Sequence, residues 1–120
     1  TIASALRRYI QWLRSLASIK VAMVIFFGSY VKGTWRAGSD VDLIVVADGL
    51  PRDAVDCYVF LTDTPDTTID VEPHPYAPED FLASLRSGNK MPIDALTEGQ
   101  ILYIDPDFKE TLLAALGERP

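Results

Sequence analysis

The sequence predicts an α/β (α+β) fold: one mixed β-sheet with helices packed against it, in a single small domain covering residues 1–120. Three observations lead there. An amphipathic segment opens the chain, two apolar runs read as strands buried on both faces, and turn residues divide the remainder into short alternating elements without repeats or low-complexity tracts. The composition, 48% hydrophobic and 23% charged, is that of an ordinary globular protein. A chain of 120 residues can bury a core without disulfide or metal staples.

On a helical wheel over residues 2–17, Ile2, Leu6, Tyr9, Ile10, Leu13, Leu16 and Ala17 gather on one side. Arg7, Arg8, Gln11 and Arg14 gather on the other, which predicts an amphipathic helix with Trp12 at the edge of its apolar stripe. Residues 21–27 form a continuous β-branched and aromatic run ending at Gly28, and residues 41–47 repeat that character before Asp48-Gly49. Pro51 starts a helix with Asp53 in its first turn, running to about residue 61, with Val55, Tyr58, Val59 and Thr62 on one stripe. Cys57 lies near the apolar side as an inert core thiol. A turn at Thr64-Pro65-Asp66 leads to a third strand over about 67–72, which Pro73 and Pro75 end because proline cannot donate to a ladder. Helices over 78–87 and 91–98 close at Gly88 and Gly99 in left-handed caps. A strand over 100–104 follows, and Asp105-Pro106 starts a last helix through residue 116, stopped by Gly117.

Charge and hydropathy exclude several functions. The net charge of −6 repels phosphate backbones, which argues against action on a long DNA or RNA template. The longest apolar run is far short of the ~20 residues a membrane span needs. Arginines and Lys20 interrupt the first twenty positions, so no signal peptide is legible. One cysteine forms no internal disulfide, which fits a reducing cytoplasm.

The chemistry is carried by residues 28–42, Gly-Ser-Tyr-Val-Lys-Gly-Thr-Trp-Arg-Ala-Gly-Ser-Asp-Val-Asp. Alternate residues of a strand share a face, so Asp40 and Asp42 project to the same side. Two carboxylates held together repel unless a cation sits between them. Magnesium suits such a site, since it combines carboxylate oxygens with substrate phosphates. Gly28-Ser29 directly after a strand lets backbone N–H groups approach a phosphate closely. Lys32, Arg36 and Ser39 of the same stretch are further candidate phosphate contacts, with solvated loop positions as the plain alternative for the two cations. A third carboxylate is needed to complete a two-metal site and accept a proton from an attacking hydroxyl. Asp70, mid-strand between Ile69 and Val71, is the first candidate; Glu72 shares its face by period two and is the fallback. Trp35 reads as a loop anchor, and His74, between two prolines, as a surface loop residue rather than a ligand.

Gly-Ser, ten residues, then Asp-x-Asp, followed by Leu43-Ile44-Val45-Val46, resembles the signature of the DNA polymerase beta superfamily of nucleotidyltransferases. Glu98-Gly99-Gln100-Ile101-Leu102-Tyr103 narrows the resemblance to the minimal nucleotidyltransferases of that superfamily. The resemblance implies a polymerase-beta-like nucleotidyltransferase fold, two Mg²⁺ ions on Asp40, Asp42 and Asp70, and phosphate contact by Gly28 and Ser29. Tyr30 stands where many relatives carry a basic residue. It further implies transfer of AMP from ATP to a hydroxyl, with a helical HEPN-domain toxin as partner in a hetero-oligomer. In such pairs the nucleotidyltransferase is the antitoxin and modifies a tyrosine of the toxin. Two other readings stay open on the sequence: a non-catalytic subunit that neutralises or scaffolds its partner by contact, and transfer to a small cationic acceptor drawn by the acidic charge.

Overall fold

The computed structural model describes residues 2–28, 41–65 and 69–117. Along the chain run α1 (Ile2–Ser15), β1 (Lys20–Phe27), β2 (Val41–Asp48), α2 (Ala54–Thr62), β3 (Val71–Tyr76), α3 (Pro78–Arg86), α4 (Lys90–Glu98), β4 (Gln100–Ile104) and α5 (Pro106–Gly117). The sheet order is β3-β2-β1-β4. β1 pairs antiparallel with β2 and β4, whereas β2 and β3 run parallel, so the sheet is mixed. This is the expected element order and sheet type.

Strand periodicity sorts the apolar residues into two layers. Val24, Phe26, Leu43 and Val45 face α1 and α2, meeting Leu6, Tyr9, Leu13 and Leu61. Met23, Ile25, Ile44 and Val46 face the other way, against Phe81, Leu85, Ala95, Phe108 and Leu112 of the last three helices. An irregularity between Val21 and Met23 resets the alternation, which lets Val21 and Val24 share one layer. Tyr9 brings a polar group into the first layer, and its hydroxyl donates to the Leu61 carbonyl at 2.6 Å, near the C-terminus of α2. Burial holds that phenol above its ordinary pKa.

Three local expectations are corrected. Asp53 is the N-cap of α2, accepting from the Asp56 N–H, rather than a first-turn residue. Val55, Tyr58 and Val59 face solvent, while Cys57 and Leu61 make the buried side of α2; burial raises the Cys57 thiol pKa. Gly88 does take the left-handed cap, but Gly99 has φ −86°. A side chain at Gly99 would instead collide with the Ala95 and Phe26 carbonyls, so close packing onto β1 calls for glycine there.

The largest correction concerns β3. Pro73 and Pro75 lie inside the strand rather than ending it, and Asp70 precedes its first residue. The reason is the edge position. The Val41 N–H donates to the Asp70 carbonyl at 2.8 Å, so the Asp70 backbone points at β2. Residues 72 and 74 then do the same, and the alternate residues 73 and 75 turn their backbone nitrogens to the open edge, where no ladder donor is needed.

Candidate active site

β2 enters the sheet at Val41, and Asp42 is its first residue on the layer of Ile44 and Val46. The side chain of Asp42 is 32% exposed, in contrast with the buried residues that follow it on the strand. Its cross-strand neighbours are Phe27 of β1 and Glu72 of β3. Residues in direct parallel register share a face, so Asp42 and Glu72 occupy neighbouring positions on one face at one end of the sheet. His74, the next residue of β3 on that face, places Nε2 3.3 Å from Asp42 Oδ1. Its ring packs on Phe27 with centroids 5.4 Å apart.

Gly28 explains how Asp42 fits. It has φ +93°, and a Cβ built on it would lie 3.1 Å from Asp42 Cγ and closer still to Oδ2. The backbone can pass the carboxylate only because the residue has no side chain. One carboxylate oxygen therefore faces Gly28 and the other faces His74.

Of the residues singled out in the sequence, Gly28, Asp42 and Glu72 come together here. Asp70 is exposed, one position before β3, with its carbonyl bonded to β2. Asp40, Ser29, Lys32, Arg36 and Ser39, with Tyr30 and Trp35, lie outside the described residues. His74 was missed. The signal was present in its period-two spacing from Glu72, but ending the strand at Pro73 removed it from the face.

The donor set suits magnesium: hard carboxylate oxygens, partly exposed, beside a glycine-lined approach. Among the described residues no three acidic, histidine or cysteine side chains form a metal-holding group. Asp42 and Glu72 would supply two carboxylates, and Asp40 would have to supply another. A groove of about 820 Å³ lies at the other end of β2, between Asp48–Arg52, Cys57 and Pro75–Asp80, away from these carboxylates.

The described site is thus a part-exposed carboxylate at the start of an inner strand, beside a tight glycine, on a mixed sheet covered on both faces. The chain belongs to the nucleotidyltransferase domain family, whose model matches residues 6–110. A protein of Methanocaldococcus jannaschii named "Putative protein adenylyltransferase MJ1305" is 35% identical over 95 residues, covering 75% of this chain and 63% of that relative. The chain thus spans less than two thirds of the length of that relative. Among solved structures, a crystal structure of a toxin–antitoxin with AMP-PNP matches 92% of this chain and 83% of its own at 20% identity, TM-score 0.56. A mutant of the toxin–antitoxin MntA-HpeT matches the same shares at 21% identity, TM-score 0.59. At these identities the structural matches bear on the fold. No helix among the described residues is long and apolar enough to cross a membrane.

Proposed function

We propose that this chain is a Mg²⁺-dependent nucleotidyltransferase that moves AMP from ATP to a tyrosine hydroxyl of a HEPN-domain toxin, acting as its antitoxin in the cytoplasm. The observation that carries the reading is the register of Asp42 against Glu72 on an exposed sheet end, with Gly28 pressed on the carboxylate. Family membership supports nucleotidyl transfer. The adenylyltransferase name of the 35% identical relative supports a protein acceptor, and the toxin–antitoxin neighbours support a partner chain.

In this reading the acceptor oxygen attacks the α-phosphorus of ATP in line. The new O–P bond forms as the bond to the α,β-bridging oxygen breaks, pyrophosphate leaves, and the hydroxyl proton passes to a carboxylate. Two bound Mg²⁺ ions would neutralise the triphosphate and fix its geometry. Asp40 and Asp42 would hold them, with a third carboxylate from the start of β3. Sequence alone favours Asp70 for that part; the pairing of Glu72 with Asp42 favours Glu72. The Gly28-Ser29 backbone, with Lys32, Arg36 and Ser39, binds the phosphates, and the third carboxylate takes the proton.

The test is incubation with α-labelled ATP, Mg²⁺ and a purified HEPN-domain protein. Label should appear on a tyrosine of the partner, and Asp40→Asn with Asp42→Asn should abolish it while the apo melting temperature holds. Labelling that survives the double substitution would sink the assignment.

A further inference from the structure

We propose that His74 is a positioning residue, which holds the Asp42 carboxylate in the orientation that receives the metal; this rests on the metal reading above. Asp42 is approached from two sides. On the β1 side Gly28 passes so close that a side chain there would overlap Oδ2. His74 Nε2 meets Oδ1 at 3.3 Å from the β3 side. An ionised carboxylate only accepts, so Nε2 carries the hydrogen of this bond, and a neutral imidazole suffices to donate it.

The histidine is itself held in place. Pro73 and Pro75 flank it, one fixing its own φ and the other restricting the backbone of His74 to extended conformations. Pairing with Ile44 of β2 sets which face the ring takes, and Phe27 packs against it. The side chain is 25% exposed, so one edge of the ring remains in the protein. A rigid donor on a ligating carboxylate keeps that ligand oriented, and loss of such an outer partner typically weakens metal binding about 10- to 100-fold. Glu72 and His74 lie on one face of one strand, so β3 would deliver both a carboxylate and the group that orients its neighbour.

The experiment is Mn²⁺ binding without nucleotide, read from the free-ion EPR signal, on the wild-type chain and three variants. Asp42→Asn sets the baseline. His74→Phe keeps a ring against Phe27 and removes the donor; His74→Gln keeps a donor at similar reach. We expect wild type to bind, Asp42→Asn to lose binding, His74→Phe to weaken it at least tenfold, and His74→Gln to stay within about threefold. Wild-type affinity in both His74 variants would overturn the inference and leave the metal site standing. Equal weakening in both would also overturn it, since packing rather than the hydrogen bond would then matter. Absence of Mn²⁺ binding by wild type would overturn the metal reading and this inference with it.

Discussion

Gly28 and Gly49 have almost the same backbone, φ +93° and +88°, and each follows an inner strand of the sheet, at opposite ends of β2. What a side chain would strike differs. At Gly49 it is the Ser18 carbonyl, in the turn between α1 and β1. At Gly28 it is the carboxylate of Asp42. Each end also has an acidic residue on β2, Asp42 at one and the exposed Asp48 at the other. A left-handed glycine beside an aspartate at a strand end therefore marks a tight approach of backbone, and its meaning depends on what is approached. A carbonyl makes it a packing device, whereas a second acidic residue and an imidazole on the same face are what the proposed function draws on.

The comparison breaks most sharply at the carboxylates. Glu72→Gln should lower nucleotidyl transfer by about 10³-fold, the scale of a lost ligand and proton acceptor. Asp70→Asn should cost less than about tenfold where Glu72 supplies the third carboxylate. Asp48→Asn, at the packing end, should leave the rate unchanged. Rates under saturating Mg²⁺ and ATP check all three, and a larger loss in Asp70→Asn than in Glu72→Gln would return the third carboxylate to Asp70.

The glycines come next in size. Gly28→Ala should cut transfer about 100-fold by displacing Asp42, since small misplacements of reacting groups carry penalties of that order. Gly49→Ala should instead lower stability by roughly 1–3 kcal/mol through the left-handed backbone and the carbonyl clash, with activity per folded molecule preserved. Denaturant melts beside specific activities separate the two. If Gly49→Ala lost activity without losing stability, the distinction between the ends would fail.

The same contrast shows what could be read from the sequence. The order of elements, the buried strands and Asp42 on an exposed strand start were legible, because strand alternation and turn residues are local properties. The course of β3 was not. Pro73 and Pro75 forbid a central strand but permit an edge strand when their nitrogens point outward, and edge position is a property of the whole sheet. Ending the strand early put Asp70 in its middle and His74 in a loop. On α2, Val55, Tyr58 and Val59 form an apolar stripe that nevertheless faces solvent, while Cys57 and Leu61 are buried, so periodicity alone does not settle which side packs.

The central claim is that the Asp42 end of the sheet binds nucleotide through metal and carboxylate together. Melting temperatures with Mg²⁺ alone, ATP alone and both test it most directly. A ligand that binds only the folded chain stabilises it, and two ligands that complete each other's site stabilise more than additively. The account predicts a combined shift larger than the sum of the separate ones, and its disappearance in Asp42→Asn. Equal stabilisation by ATP in the presence of a chelator, or an undiminished combined shift in Asp42→Asn, would contradict it.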